Sequence, residues 1–292
     1  MNEDRKVTGM VILFLVVAVG LWIWTDARYS CAGSSVRGEP LKVTLLKVGK
    51  ADAIAVQTGN KTMVIDAGEE EDGEELVAFL QNQGISYVDV LVITHFDKDH
   101  VGGADTLVEE MEIGEVLLPD YEGIHTEYLD FMHALEKKGI QPQRLTEPIE
   151  MQFGEALVKT EPPESYEAAE NVVEQDNNFS LITTIVHGDN RLLFTGDAEK
   201  QRLHQWLSEE NVEACDFLKV PHHGVYNTAL KKLADAVSPK YAVICSSGKN
   251  PADAKTLELL RARGIETFET KDGNVTVISD GNHLEIRQEL ER

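Results

Sequence analysis

The sequence predicts an α/β protein: two β-sheets packed face to face and covered by helices, preceded by one N-terminal membrane-spanning helix. Three observations carry this. Short apolar runs recur in both halves of the chain, separated by stretches with helical spacing. Several of those runs end in a polar residue beside a glycine. Residues 9–25, GMVILFLVVAVGLWIWT, form an unbroken run without charge.

The N-terminal run is preceded by Arg5 and Lys6, and Trp22 and Trp24 stand near its far end, as interfacial aromatics do. A spanning helix needs about 20 residues. Residues 1–25 therefore read as an uncleaved signal anchor, with a cleaved secretory signal as the alternative. Ser30-Cys31-Ala32 offers small residues for such cleavage. A lipid attachment at Cys31 is disfavoured, because Arg28 and Tyr29 replace the apolar and small residues it needs. Residues 26–40, with Gly33, Ser34, Ser35, Gly38 and Pro40, read as a linker. Residues 41–292 are left as one domain, expected outside the cytoplasm because Arg5 and Lys6 precede the span, with Arg28 and Arg37 after it making the bias small.

Within that domain the pattern predicts strands at 41–46, 52–57 and 61–65, with Gly59-Asn60 as a hairpin turn. A helix over 74–83 places Leu76, Val77, Phe79 and Leu80 on one side. A buried strand follows at 88–93, then a helix at 104–111, a strand at 115–118, a helix at 126–138 and a strand at 155–160. The acidic segment 161–178, with two prolines, reads as a loop. The second half predicts strands near 180–187, 191–195, 215–220, 241–245 and 275–278, and helices near 198–210, 227–236 and 253–263.

Composition narrows function. Hydrophobic residues make up 42% of the chain, enough for a sizeable core. The net charge of -24 repels nucleic acid and anionic lipid unless metal ions or a local basic patch intervene, and no basic run tracks a phosphate backbone. The three cysteines, Cys31, Cys215 and Cys245, lack zinc-ribbon spacing; Cys215 and Cys245 read as core thiols.

The chemistry concentrates after the 88–93 strand, in Thr94-His95-Phe96-Asp97-Lys98-Asp99-His100-Val101-Gly102-Gly103. A strand ending in His-x-Asp-x-Asp-His puts four metal-ligand types on one tight loop. A solvated polar turn accounts for one His and one Asp, not for four at such spacing. Three further strands end alike: Val64-Ile65-Asp66-Ala67-Gly68, Phe194-Thr195-Gly196-Asp197 and Leu218-Lys219-Val220-Pro221-His222-His223-Gly224. Each alone is an ordinary turn; their order carries the weight.

With Val48-Gly49-Lys50-Ala51-Asp52-Ala53 and Asn177-Asn178-Phe179-Ser180-Leu181, that order resembles the metallo-β-lactamase superfamily from about residue 41 onward. Within it the chain is similar to the hydrolase domain of the ComEC-like competence proteins. The resemblance implies a four-layer αββα sandwich with two divalent metal ions at one edge. It assigns His95 and Asp97 to a first metal, Asp99 and His100 to a second, Asp197 between them and His223 as the last ligand. Asp176 falls nearest the position of a missing third ligand of the first site. Asp97 stands where the superfamily usually has His; a carboxylate there favours Mn or Fe over Zn, though Zn remains admissible. Asp52 and Asp66 are expected to orient ligands, and Asn178 and His222 to support the site or face substrate. His187, before Gly188-Asp189, reads as a surface residue.

The ligand set predicts direct attack by metal-activated hydroxide, with Asp99 also accepting the proton of the attacking water. The resemblance points to a phosphodiester substrate, DNA included. Two departures weigh on that substrate. Val225-Tyr226-Asn227-Thr228 follows His-His-Gly where hydroxyl residues are common, and Ser246-Ser247-Gly248-Lys249-Asn250-Pro251-Ala252 lacks the downstream Gly-His-Pro. Lys249 is the candidate for the missing positive charge. The competing readings are a lactonase or other small-molecule hydrolase of the same fold, and a non-catalytic binding module with a decayed site. No protein partner is inferable.

Overall fold

The computed structural model describes residues 38–167, 175–208 and 212–290. The expected anchor, most of the linker and Cys31 lie outside these. Among the described residues, no helix is long and apolar enough to cross a membrane.

Alternating side chains divide the interior into three layers. In β1 (Leu41–Leu45) and β2 (Ala53–Thr58), Val43, Leu45, Ile54 and Val56 point toward the middle of the sandwich, while Ala53 and Ala55 face outward to a helical layer. β3 (Lys61–Ala67) does the same, with Met63 and Ile65 inward and Val64 outward. These strands join β4 (Tyr87–Val92), β5 (Glu112–Pro119), β6 (Gln143–Leu145), β14 (Val275–Ser279) and β15 (Leu284–Gln288) in an eight-stranded sheet, order β15-β14-β1-β2-β3-β4-β5-β6. The second sheet has seven strands: β7 (Ile149–Phe153), β8 (Ala156–Glu161), β9 (Ile182–His187), β10 (Asn190–Phe194), β11 (Phe217–Lys219), β12 (Tyr241–Ile244) and β13 (Glu266–Glu269), order β13-β12-β11-β10-β9-β8-β7.

Leu192, Phe194, Phe217 and Val243 of the second sheet meet the inward residues of the first. Three helices, α1 (Gly73–Asn82), α3 (Ala104–Glu110) and α4 (Thr126–Lys138), cover the first sheet through residues such as Leu76, Leu107 and Phe131. A short helix, α2 (Lys98–Val101), lies within the ligand-rich loop. The second sheet is covered by α5 (Lys200–Trp206), α6 (Thr228–Val237) and α7 (Ala254–Ala262), through Leu203, Leu233 and Leu260. α6 starts at Asn227, whose side chain accepts from Ala229 N and Leu230 N. This is the expected sandwich of two sheets between helices.

Several expectations need correction. β6, β7, β13 and β15 are strands that the sequence pattern did not mark. The segment read as a loop from residue 161 contains a 3₁₀ turn at Asp176–Phe179. The helix expected near 198–210 is Lys200–Trp206 among the described residues; it starts late because the backbone at Glu199 is extended. His187 is buried, with Nδ1 2.8 Å from Ser279 Oγ: the hairpin end that carries it packs on the β14–β15 turn.

What positions the site is direction. β3 runs parallel to β4, and β10 parallel to β11. The C-terminal ends of all four deliver Asp66, the loop 94–103, Asp197 and His222-His223 to one place, the rim position where open α/β sheets build sites.

Candidate metal centre

The loop after β4 is pressed close to the turn after β3. A Cβ on Gly103 would stand 2.5 Å from Ala67 O and 2.7 Å from Gly73 Cα, so only glycine lets the two backbones approach this closely. Gly103 N also bonds to Gly68 O, and Asp52 N to Asp99 O.

Asp66 is the hub beneath the loop. It is fully buried, with a left-handed φ of 59°. Its Oδ1 accepts from Thr94 N at 2.7 Å; its Oδ2 accepts from Thr94 Oγ1 at 2.8 Å and lies 2.8 Å from His100 Nδ1. Since Thr94 gives its proton to Asp66, its oxygen is free to accept from His95 Nδ1 at 3.0 Å. On the opposite sheet, His223 Nδ1 donates to Cys245 O at 3.0 Å. Each imidazole thus holds a proton on Nδ1 and turns Nε2, the atom free to ligate once it gives up any proton, toward the centre. The Nε2 atoms of His95, His100 and His223 are all buried and lack an aligned hydrogen-bond partner. Three unpartnered imidazole nitrogens are costly in a folded core unless something binds them.

Carboxylates face these nitrogens. Asp197 Oδ1 is 3.3 Å from His100 Nε2, and Oδ2 is 3.0 Å from His223 Nε2. Asp99 Oδ2 is 3.3 Å from His223 Nε2, and Asp97 Oδ2 is 3.6 Å from His95 Nε2. Asp99, His100, Asp197 and His223 each offer a ligand atom within 4.8 Å of the others, close enough to hold one divalent ion. The rings of His95 and His100 lie 4.1 Å apart, so the His95–Asp97 pair adjoins this group. The residues present fit a divalent ion at the Asp99–His100–Asp197–His223 group, with imidazole nitrogens held from behind and carboxylates on both sides.

The electrostatics are those of a site built for cations. Burial opposes ionisation of Asp197, but His223, His100 and Lys219 outweigh it and hold its carboxyl well below the usual range. Burial also opposes a charged His100, yet Asp197 and Asp66 hold it well above its ordinary value; Asp197 and Asp99 raise His223 in the same way. Asp99, against burial, is kept far below the carboxylate range by His223 and His100.

The remaining expected residues are distributed unevenly. Asp176 is pushed up by burial and by the charge of Asp97, and it is not part of the Asp99–His100–Asp197–His223 group. Tyr121 packs on Phe96 at 4.6 Å and Phe179 at 4.8 Å, and its hydroxyl accepts from Phe96 N, tying together the loops that carry Asp97 and Asp176. His222 turns aside, with Nδ1 3.0 Å from Glu199 Oε1. Asn178 is buried and accepts from Arg202 N, fixing α5 behind Asp197. Lys249 is exposed and makes no contact with the centre among the described residues, whereas Lys50 Nζ lies 3.7 Å from Asp99 Oδ2 at the mouth.

Lys219 enters the centre only through the fold. Its side chain is fully buried, and Nζ bonds to Gly196 O at 2.9 Å, to Asp197 Oδ1 at 3.2 Å and to Asp52 Oδ2. A lone lysine at the end of an apolar strand carries no signal of such a role. Cys215 and Cys245 are buried thiols, as expected.

Comparison with known proteins agrees with this geometry. Residues 46–249 match the model of the metallo-β-lactamase superfamily. The chain is 29% identical over 209 residues to ComE operon protein 3 of Bacillus subtilis (69% of this chain, 26% of that protein). It is 27% identical over 219 residues to recombination protein 2 of Haemophilus influenzae (72% and 25%), and 27% identical over 275 residues to competence protein ComA of Neisseria gonorrhoeae (90% and 36%). It thus spans about a quarter to a third of the length of these relatives. Among solved structures, the metallo-β-lactamase fold protein YhfI of Bacillus subtilis aligns with a TM-score of 0.55 at 11% identity, covering 79% of this chain and 96% of that one. CmlA, a diiron β-hydroxylase of Streptomyces venezuelae, aligns with a TM-score of 0.51 at 15% identity, covering 80% and 52%. These two show the fold and leave the reaction open. The chain belongs to the metallo-β-lactamase superfamily.

Proposed function

We propose that this protein is a metal-dependent phosphodiesterase, with DNA or a related phosphodiester as substrate. The observation that carries the reading is the convergence of three unpartnered imidazole nitrogens on Asp97, Asp99 and Asp197 at one sheet rim. His95 and Asp97, with Asp176, would hold one ion; Asp99, His100 and His223 would hold the other, and Asp197 would lie between. Two divalent ions, Mn or Zn with Fe admitted, supply a water that ionises near neutral pH and a clamp for a phosphoryl oxygen. Asp66 and Cys245 O keep His100 and His223 in the tautomer that leaves Nε2 free. Asp99, partly open to solvent and held ionised, accepts the proton of the attacking water. Lys50 places one positive charge at the mouth of an otherwise acidic protein, where an anionic substrate enters.

Similarity to competence proteins supports a substrate related to DNA, and the carboxylate at position 97 supports hard, oxygen-seeking ions. Against it stands the net charge of -24, which favours a small or neutral substrate and keeps a lactonase as the second reading. Assays of the protein with Mn or Zn on single- and double-stranded DNA, a generic bis-aryl phosphodiester and a lactone separate the two. Metal-dependent phosphodiester cleavage is expected. Turnover of the lactone alone would overturn the proposal.

We further propose that residues 1–25 anchor the hydrolase domain to the membrane on its outer side. The charge-free run 9–25, Arg5 and Lys6 before it and the two tryptophans support this. Protease added to intact cells is expected to release a fragment beginning near residues 26–40. Protection until lysis would place the domain inside.

A further inference from the structure

Beneath the candidate ligands lies a second group of buried acids. Asp52, Asp66 and His100 have ligand atoms within 4.8 Å of one another and are all buried. Asp66 is accounted for by Thr94 and His100. Asp52 is not a turn residue at a surface: it is fully enclosed, with Oδ2 3.9 Å from His100 Nδ1 and Oδ1 3.7 Å from His223 Nδ1. A carboxylate in that position needs a cation. The cation present is Lys219, whose ammonium touches Asp52 from one side and Asp197 Oδ1, at 3.2 Å, from the other. Lys219 comes from the second sheet and Asp52 immediately precedes β2 of the first, so the contact also joins the two halves of the rim.

We propose that Lys219 is an internal cation of the metal centre: it holds Asp52 and Asp197 in place in the metal-free protein and competes with divalent ions for the charge of Asp197. This rests on the reading of Asp197 as a ligand. The reasoning is electrostatic. Asp197 is the one candidate ligand that faces His100, His223 and Lys219 together. An ammonium at hydrogen-bond distance withdraws from the carboxylate part of the attraction it would offer an ion. In exchange, the metal-free centre keeps a fixed cation between its two buried acids. Asp52 acts with the opposite sign: it neutralises Lys219 and so returns charge to Asp197. The two residues form a lever on metal affinity, though neither is among the seven ligands proposed around the ions.

The lever predicts opposite shifts. Mn²⁺ titration of the full chain, in competition with a chromophoric chelator at fixed pH and salt, reads the Kd. Lys219→Met is expected to lower the Kd about tenfold, and Asp52→Asn to raise it about tenfold, the scale of one buried charge acting on a neighbour. The double variant, which removes both charges, is expected to return close to wild type. Melting of the metal-free proteins should show Lys219→Met as the least stable, with a larger gain on adding Mn²⁺ than wild type shows. A role in packing alone weakens binding in all three variants or leaves it unchanged, and either result overturns the proposal. Should Lys219→Met not fold, the Asp52→Asn shift and its reversal in the double variant decide the matter, and the absence of either overturns it. A wild-type protein that binds neither Mn²⁺ nor Zn²⁺ refutes the centre itself. Binding by the wild type without the opposite shifts refutes only the role of Lys219.

Discussion

Replacing Asp66 by Asn tests the centre at its hub. Asn tolerates the left-handed backbone at this position, and the side chain keeps its size, so packing is undisturbed. What changes is the donor count. Asp66 accepts from Thr94 N at 2.7 Å, from Thr94 Oγ1 at 2.8 Å and from His100 Nδ1 at 2.8 Å. An amide has one oxygen and one NH₂ group. With the oxygen toward Thr94 N, the NH₂ faces His100 Nδ1, which must then accept and move its proton to Nε2, where it blocks the lone pair aimed at the centre. With the amide flipped, Thr94 N loses its acceptor in a buried site. The unmet donor costs about 1–3 kcal/mol of stability. Loss of the orienting partner costs about 10–100-fold in metal affinity, or about 1.4–2.8 kcal/mol. Calorimetric titration with Mn²⁺, alongside urea unfolding, measures both. Metal affinity within about threefold of wild type in a folded Asp66→Asn protein would refute the tautomer argument.

Other perturbations report on neighbouring parts. Asp99→Ala should abolish hydrolysis while circular dichroism stays unchanged, because Asp99 sits on a loop helix and works at the mouth; normal turnover would remove it from the reaction. Gly103→Ala should destabilise by about 1–3 kcal/mol, since its Cβ meets backbone rather than a movable side chain; urea unfolding checks this, and a loss under about 0.5 kcal/mol would show that the two loops can part. Asp72 is pushed up to about 6 by burial, despite its hydrogen bond from Glu69 N. The folded acid therefore holds its proton more tightly than the unfolded one, near 3.9, so its support for the fold is full below about pH 4 and is lost as pH rises through 6. Asp72→Asn should accordingly gain about 1 kcal/mol at pH 8, after allowance for its partial exposure, and nothing near pH 4. A gain equal at both pH values would disprove the linkage.

The strands that build the rim were legible because each is an apolar run that ends abruptly in polar residues: 88–93 against Tyr87–Val92, and 191–195 against Asn190–Phe194. The strands missed lie at or near sheet edges and bury little. β15, Leu-Glu-Ile-Arg-Gln, has no fully buried residue, and β13, Glu-Thr-Phe-Glu, has none either. A pattern of only four or five residues interrupted by charges is weak beside a helix or loop pattern. The six ligand candidates, and Asp176 more loosely, were legible because chemistry, order and strand ends coincide. Lys219 and Tyr121 were not. Their roles arise from groups far away in sequence, Asp52 and Asp176, and a single chain without its fold records no such pairing. Lys50, which the sequence did not single out, is the lysine that the structure pairs with Asp99.

The proposed ligands are divided between two supports. His95, Asp97, Asp99 and His100 hang from the first sheet, Asp197 and His223 from the second, and the spacer between them is the apolar layer that includes Leu192, Phe194 and Phe217. That layer therefore works as a gauge block. Bonds to a metal ion tolerate errors of only about 0.2 Å, whereas a close-packed interior passes on the change of a single methylene. A substitution such as Phe194→Leu, invisible to any list of ligands, alters the jaw opening at the rim without touching a donor atom. Drift in the middle of this sandwich is thus a way to retune which ion fits, and a search for metal-selectivity variants belongs as much in the interior as at the mouth.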